Sequence, residues 1–419
     1  MARDTPERTV HEVPADVSLT LDAAVLLDSR DPLASFQRRY VVPDRDLVYL
    51  DGNSLGRLPQ STRERLRRVV DEEWGDRLIR SWHEEWLALP QRVGDLIGTK
   101  VLGAAAGQTI VADSTTVWFY KLLFAAAEAR PGRDELVTDS GNFPTDRYVV
   151  DSVARRLGLQ IRWLSCDPVA GPSLKDVEPL VGPRTAVLAL SHIDYRSAAI
   201  ADMAAIGACV HEAGALTLWD LSHSAGAVAL RLDEAEVDLA VGCTYKFLNG
   251  GPGAPAYAYV ARAQQDVVHQ PIWGWMGHRD PFAMTTEHAA AKGVRSMLSG
   301  TPPVLGLAAV EEGVRIVAEA GVDAIHEKGR ALTSYAINLF DAWLAPRGFA
   351  LASPRDATRR GAHVSVRHPR AKQLTAALID DGVVPDYRKP DLVRLGMAPL
   401  TTRFVDVWHG LDALRRLTA

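Results

Sequence analysis

The chain has 419 residues, of which 47% are hydrophobic, and its net charge is −5. This length predicts a large core, arranged as one large domain and a smaller one. The negative charge argues against nucleic acid as a partner, because proteins that bind phosphate backbones usually carry a basic patch. No apolar run reaches the roughly 18–20 residues that a membrane span needs. The N-terminus lacks a signal-peptide layout, and the three cysteines lack metal-ligand spacing, which is typical of a cytoplasmic protein.

The first third of the chain predicts an irregular arm followed by helices. Residues 1–60 carry turn signals such as DPLASF and DGNSLGRLP, and are expected to be irregular. The next stretch, STRERLRRVVDEEWGDRLIRSWHEEW, has the spacing of a charged amphipathic helix. Ser114 then precedes VWFYKLLFAAAEAR, a helix with a good N-cap that Pro131 and Gly132 would end.

From there to about residue 305, short apolar runs alternate with helical patterns. ELVTD, QIRWLS, TAVLALS, ALTLWD and DLAVGC are predicted strands, and DRYVVDSVARRLG and ADMAAIGACVHEAG are predicted helices between them. This alternation predicts an α/β fold with a mostly parallel sheet covered by helices on both faces. After a long helix, LAAVEEGVRIVAEAG, the pattern indicates a smaller α+β domain. The predicted division is an N-terminal arm at 1–60 that also forms part of the small domain, a large domain at 61–305 that binds the ligand, and a small C-terminal domain at 306–419.

Reactive side chains follow the predicted strands at their carboxyl ends, where ligands bind in open α/β sheets. Ser191 ends TAVLALS, Asp220 ends ALTLWD, and Lys246 follows DLAVGC and precedes a glycine-rich turn. A lysine among apolar neighbours has a lowered pKa and can bond covalently to an aldehyde. A surface lysine at a strand end is the alternative when Lys246 is considered alone.

The other candidate residues are of the types that bind a cofactor carrying both an aldehyde and a phosphate. Asp220 is the type of acid that keeps a pyridine nitrogen protonated, and His223 is placed to bond the ring hydroxyl or to hold Asp220. DSTTV at a helix start offers free N–H groups and hydroxyls to a phosphate, although ordinary capping is its commoner use. Phe143 is placed to stack on the ring, or else belongs to the core. In chain order these residues give an anion site, a ring face, an acid and a lysine.

Several motifs resemble those of kynureninase, a fold-type I enzyme of the aminotransferase class V group that depends on pyridoxal 5'-phosphate. The resemblance runs from about Leu50 to Leu414. It rests on LDGNSLGRLP, GDRLIRSW, VADSTTV, GNFPTD, LSHIDYRSA, WDLSHSAGA, CTYKFLNGGPGAP, WGWMGH, SGTPPV and RLGMAPLTTRFVDVWHGL. WDLSH and TYKFLN fit the whole group, whereas FPTD, WMGH with GTPP, and the late arginine segment are more specific to kynureninase.

The resemblance implies a role for each matching residue. Lys246 would bind the cofactor covalently, Asp220 would face the pyridine nitrogen, and Tyr245 would bond the phosphate and take part in proton transfer. The implied cofactor-binding residues are Thr115, Thr116, Phe143, Pro144, Thr145, Asp146, Ser191, Asp220, His223, Tyr245, Lys246, Trp275 and Thr301. Trp275 and Thr301 would reach the cofactor phosphate of a partner subunit, which implies a homodimer. The implied substrate-binding residues are Arg394, for the α-carboxylate, together with Trp82, His83 and Asn53.

The implied reaction is hydrolysis of the Cβ–Cγ bond of L-kynurenine in the cytoplasm, within the kynurenine pathway, where it would serve either tryptophan catabolism or NAD biosynthesis. His83 stands where the family often has asparagine, so 3-hydroxykynurenine or a ring-methylated relative stays open as substrate. A cysteine desulfurase or selenocysteine lyase is an alternative, but the chain has no cysteine after Cys243. A dinucleotide-binding enzyme fits the GGPG segment poorly. A non-catalytic pyridoxal-binding regulator is the alternative from another class, and no metal site is predicted.

Overall fold

A computed structural model describes residues 18–42, 44 and 46–418. Its helices are α1 (Leu21–Ser29), α2 (Gln60–Arg68), α3 (Leu89–Ile97), α4 (Thr115–Glu128), α5 (Pro144–Leu157), α6 (Leu174–Val177), α7 (Met203–Glu212), α8 (Val304–Ala320), α9 (Val322–Trp343), α10 (Ala371–Asp380) and α11 (Phe404–Arg416). Its strands are β1 (Val48–Tyr49), β2 (Thr109–Ala112), β3 (Glu135–Asp139), β4 (Gln160–Leu164), β5 (Thr185–Ser191), β6 (Leu216–Asp220), β7 (Leu239–Gly242), β8 (Ala256–Val260), β9 (Ala350–Leu351), β10 (His363–Arg367), β11 (Val383–Val384), β12 (Asp386–Arg388) and β13 (Leu392–Gly396).

Shorter helical turns connect these elements. The 3₁₀ turns are Ala34–Arg39, Leu78–Arg80, Glu178–Leu180, Arg262–Gln264, Trp275–Gly277, Gly293–Met297, Ala345–Arg347 and Ala357–Arg359, and the π-helical turns are Val69–Asp76, Trp82–Trp86 and Gly98–Leu102. No helix in the described part of the chain is long and apolar enough to cross a bilayer.

The central sheet has seven strands in the order β2-β8-β7-β6-β5-β3-β4. The strands predicted from the sequence, β3 to β7, pair in parallel. β8 runs against both of its neighbours, β7 and β2. The α/β fold with a mostly parallel sheet is therefore confirmed, with one antiparallel strand that the sequence analysis did not predict.

A second, four-stranded antiparallel sheet has the order β12-β13-β10-β9. Its core is shared with the later part of α9, with α10 and α11, and with Ala24 and Leu27 of α1. The buried face of α8 belongs instead to the core beneath the central sheet. The predicted domain boundary at 305/306 stays a prediction.

Two local expectations from the sequence are wrong. The arm contains a regular helix, α1, which Thr20 caps by accepting a hydrogen bond from the Ala23 N–H. The long amphipathic helix predicted after it ends as an α-helix at Arg68 and continues as π and 3₁₀ turns. Leu78 has a φ of 53°, a left-handed conformation that no continuous right-handed helix can contain.

Candidate active site

The carboxyl ends of the parallel strands bring the predicted residues together. Ser191 and Asp220 are register partners at the ends of β5 and β6, and Lys246 follows the next strand, β7. A cavity of about 280 Å³ opens there. It is lined by Thr115, Thr116, Phe143, Thr145, Asp146, Ser191, Ile193, Tyr195, Asp220, Ser222, His223, Tyr245 and Lys246. Pro144 starts α5 beside these residues.

The turn after β7 explains why glycines follow the lysine. The Lys246 carbonyl accepts from the Asn249 N–H at 3.0 Å, and Thr244 accepts from the Gly250 N–H at 2.8 Å. Gly251 has a φ of 89°, which glycine adopts without the strain that a side chain would add. On the other side of the turn, a Cβ at Gly56 would collide with the Lys246 carbonyl. These contacts fix the backbone that carries the lysine.

The lysine amine meets a buried histidine. Nζ of Lys246 lies 3.0 Å from Nε2 of His223, whose other ring nitrogen, Nδ1, is buried without a hydrogen-bond partner. Burial lowers the pKa of His223 well below its ordinary value, and Lys246 and Arg394 add to the effect because they are cations. The imidazole is therefore neutral, and Nε2 can accept a hydrogen bond from the amine.

Two carboxyl groups face each other in the floor of the cavity. Asp220 accepts from the Ser222 N–H at 2.7 Å, while Oδ2 of Asp146 is buried without a partner. Burial first, and then the nearby Asp220, raise the pKa of Asp146 well above its usual range. A cationic N–H placed between them would relieve this repulsion, and a protonated pyridine nitrogen is such a group.

The start of α4 is the candidate anion site. Ser114 caps this helix, and Thr115 and Thr116 form its first turn, so their N–H groups carry the positive end of the helix dipole. Asp113, which directly precedes Ser114, has a φ of 49° and therefore forms a left-handed turn. Its carboxylate binds Nζ of the fully buried Lys121 at 2.7 Å.

Lys121 also binds a second segment of the chain. Its amine donates to the Met297 carbonyl at 3.1 Å and lies 4.6 Å from the centre of the Trp118 ring. Burial lowers the pKa of Lys121, and the hydrogen bond to Asp113 acts in the opposite direction. Lys121 was not predictable as a site residue from the sequence, because a lysine inside a helix is normally exposed.

An aromatic ring forms one wall of the cavity. Phe143 caps α5 and packs edge-on against Tyr195, with ring centres 5.3 Å apart. Across from it, the Ser191 hydroxyl donates to Oδ1 of Asn142 at 2.6 Å. The orphan carboxyl oxygen, the helix N-terminus, the aromatic wall and the lysine together fit pyridoxal 5'-phosphate.

Arg394 is buried on β13 and its guanidinium is held from several sides. It donates to the Tyr195 carbonyl at 2.6 Å, to Oγ of Ser54 at 2.8 Å and to Asp386. The Asn53 carboxamide is oriented so that its nitrogen donates to Oδ1 of Asp51 and its oxygen accepts from Nε of Arg394 at 3.1 Å. A Cβ at Gly396 would collide with this carboxamide, so glycine is required there. Of the predicted substrate residues, Asn53 and Arg394 thus meet beside the cavity.

Three of the remaining predicted residues, Trp82, His83 and Trp275, belong to a separate aromatic patch. Trp82 packs on Trp275 with ring centres 6.4 Å apart, and Phe282 contacts both Trp275, at 5.7 Å, and His83, at 5.1 Å. Thr301 lies exposed beyond the 3₁₀ turn Gly293–Met297. Large apolar side chains are exposed in the same segments: Trp74, Leu78, Ile79, Trp273, Phe282 and Met284.

The family model and the relatives found by sequence agree on one family. A family model described as the kynureninase C-terminal domain matches residues 325–414. A kynureninase of Burkholderia pseudomallei (strain 1106a) is 40% identical over 403 residues, which cover 94% of this chain and 95% of that protein. A kynureninase of Pseudomonas fluorescens is 39% identical over 402 residues, 94% of each chain.

Solved structures resemble the fold at lower identity. An apo cysteine desulfurase from Thermococcus onnurineus NA1 has a TM-score of 0.80 at 17% identity, over 93% of this chain and 98% of that one. The cysteine desulfurase CsdA from Escherichia coli has a TM-score of 0.75 at 18% identity, over 92% and 99%. These likenesses support the fold, and the kynureninase relatives, which match along nearly their whole length, show the family. The chain belongs to the kynureninase family.

Proposed function

We propose that this enzyme hydrolyses the Cβ–Cγ bond of L-kynurenine, or of a ring-substituted relative such as 3-hydroxykynurenine, to anthranilate or its substituted form and L-alanine. One water is consumed across the broken bond. The observation that carries the proposal is a lysine amine facing a pair of buried carboxyl groups and a helix N-terminus, in a chain of this family.

Each side of the cavity would hold one part of pyridoxal 5'-phosphate. Lys246 would bind it covalently, Asp220 and Asp146 would hold its pyridine N–H, and the N–H groups and hydroxyls of Thr115 and Thr116 would hold its phosphate. When bound, pyridoxal 5'-phosphate supplies an electron sink for the charge that develops on the substrate. The protein residues decide which protons move and where.

Two groups are placed to move protons. The amine of Lys246 would take the proton from the substrate α carbon, with Nε2 of His223 as its hydrogen-bond partner at 3.0 Å. The neighbouring Cys243, and then burial, raise the pKa of the Tyr245 hydroxyl, so Tyr245 stays protonated and can donate. Tyr245 would protonate the substrate Cβ after the Cβ–Cγ bond breaks, or would donate a hydrogen bond to the cofactor phosphate.

Arg394 would bind the substrate α-carboxylate through its planar guanidinium, with Asn53 and Ser54 beside it. Asp386 already binds this guanidinium. A substrate carboxylate would therefore share the Arg394 guanidinium with Asp386 or displace Asp386 from it. The aromatic patch with Trp82 and His83 lies apart from the chain's own cavity, so in the shared-site homodimer proposed below it would contact the aryl ring of a substrate bound in the partner subunit.

The proposed assembly is a homodimer whose sites are shared. Its support is the exposed apolar surface around Trp273 and Phe282, because such patches usually mark interfaces. Trp275 and Thr301 would then reach the partner's cofactor phosphate. Mixing inactive Lys246→Ala with inactive Trp275→Ala should restore part of the activity in heterodimers. A monomer by sedimentation that keeps full activity would refute this assembly.

We place the enzyme in the cytoplasm, because its three cysteines are free thiols, and in the kynurenine pathway, serving either tryptophan catabolism or NAD biosynthesis. The testing experiment is borohydride reduction of the holoenzyme, followed by peptide mapping and by an assay for fluorescent anthranilate. The cofactor should be fixed on the peptide containing Lys246, and anthranilate should form from kynurenine. Label on another lysine would overturn the site, and absence of product from kynurenine and its ring-substituted relatives would overturn the reaction.

A further inference from the structure

A second histidine lies behind His223 and has no role in the function proposed above. His363 begins β10 in the four-stranded sheet, and its side chain is fully buried. Its ring centre lies 5.5 Å from that of His223, at an interplanar angle of 59°. Neither ring nitrogen of His363 has a hydrogen-bond partner in the described chain, and Nδ1 of His223 has none either.

Three unpaired nitrogens in two adjacent buried rings call for an explanation. A buried polar atom without a partner costs about 1–3 kcal/mol, so native proteins keep very few of them. At this ring separation, a rotation of the rings is enough to bring two nitrogens to a hydrogen-bond distance of about 3 Å. One such bond would satisfy a nitrogen on each ring.

The surroundings fix the direction of this bond. The charged groups that face His363 are Arg394, Lys246 and Arg388, all cations, and with burial they keep the ring neutral. The Arg196 carbonyl lies near the same ring and already accepts from the Ser365 hydroxyl, and its second lone pair is free for an N–H of His363. His363 can therefore donate to Arg196 and accept with its other nitrogen. His223 accepts from Lys246 with Nε2, so its own proton lies on Nδ1.

We propose that His363 is a positioning residue, which accepts a hydrogen bond from Nδ1–H of His223 and thereby fixes the tautomer and orientation in which Nε2 of His223 faces Lys246. The chain of donors runs from Lys246 through His223 and His363 to the Arg196 carbonyl. It joins the turn after β7 to the four-stranded sheet. The inference rests on the proposed bond between Lys246 and the cofactor.

The test compares His363→Phe and His363→Gln in the holoenzyme, by titrating the cofactor absorbance band with pH. Phenylalanine keeps the ring volume and removes both nitrogens. Glutamine can accept from His223 and donate to Arg196. We expect the midpoint in His363→Phe to fall by about one pH unit, because the protonated nitrogen of Lys246 loses a well-placed acceptor. His363→Gln should titrate within a few tenths of a unit of wild type.

An unchanged midpoint in His363→Phe, or equal shifts in both variants, would overturn the inference. Should the phenylalanine variant not fold, histidine-selective ¹⁵N labelling of the wild-type holoenzyme gives the tautomer directly. A proton on Nδ1 of His223 is expected, and a neutral ring with its proton on Nε2 would overturn the inference. If the wild type bound no cofactor at Lys246, the proposed function itself would fail, which is a distinguishable result.

Discussion

The buried Lys121 should control both the stability of the protein and its affinity for the cofactor. Lys121→Met keeps the length of the side chain but removes the donors to Asp113 and to the Met297 carbonyl. Breaking a fully buried ion pair costs about 3–5 kcal/mol. Asp113 remains partly exposed, so water can solvate its carboxylate, and we expect a loss of about 2–3 kcal/mol in the free energy of unfolding of the apoenzyme.

The same change should loosen the anion site, because Asp113 holds the left-handed turn directly before Ser114. We expect the Kd for pyridoxal 5'-phosphate to rise at least tenfold, which corresponds to about 1.4 kcal/mol. The assay is a fluorescence titration of apoenzyme with the cofactor, paired with urea unfolding without cofactor, so that ligand binding does not mask the stability. Lys372→Met, at an exposed lysine on α10, is the matched control.

The reasoning would be refuted by a Lys121→Met apoenzyme as stable as wild type with an affinity for the cofactor within twofold of it. If the free energy of unfolding fell while the affinity for the cofactor stayed the same, Lys121 would hold only the segment around Met297 and would not support the start of α4. The two measurements thus separate the role in the anion site from the role in folding.

The other predictions concern the acid, the two ends of the substrate and a titrating carboxyl group. Asp220→Asn should keep cofactor binding and lower kcat at least tenfold, since a charge-assisted bond to the pyridine N–H is worth about 1.5–3 kcal/mol; near-normal turnover would place the acid elsewhere. Arg394→Lys should lower kcat/KM at least tenfold, or by about 1.4 kcal/mol, for kynurenine and 3-hydroxykynurenine alike. His83→Asn should instead change the ratio of the kcat/KM values for these two substrates. The reverse pattern would mean that the residues for the carboxylate end and for the ring end of the substrate are exchanged. Burial raises the pKa of Asp51 to about 6. The folded protein therefore holds a proton on Asp51 more tightly than the unfolded chain does, and the stability that this proton gives is present below pH ~4 and lost as the pH rises through about 6. The unfolding free energy of wild type should fall by about 2–3 kcal/mol relative to that of Asp51→Asn between pH 4 and 7. A difference between the two proteins that does not depend on pH would contradict this prediction.

The sequence allowed the central part of the site to be predicted because its geometry follows from strand ends. Apolar runs mark β5, β6 and β7, and the residues at or just after their carboxyl ends must meet at one edge of a parallel sheet. Ser191, Asp220 and Lys246 line the same cavity for this reason. The antiparallel β8 was not predictable in this way, since an apolar run does not state its direction or its partner.

The contacts of the substrate side could not be derived from the sequence. Arg394 meets the Tyr195 carbonyl and the Ser54 hydroxyl across separations of 199 and 340 residues. His363 lies in GAHVSVRH, a pattern that indicates a buried strand and nothing about chemistry. The role of Arg394 toward a substrate carboxylate stays a prediction, since its present partner is Asp386.

The N-terminal segment around Asn53 connects the strand that carries Arg394 with the turn that carries Lys246. The Leu50 carbonyl accepts from the Gly396 N–H at 2.7 Å, and the Gly56 N–H donates to the Tyr245 carbonyl at 2.8 Å. The same short segment is therefore hydrogen-bonded to the strand that carries the arginine and to the turn that carries the lysine. A Cβ at Gly56 would collide with the Lys246 carbonyl, and a Cβ at Gly396 would collide with the Asn53 side chain, so this segment is closely packed against both the strand and the turn.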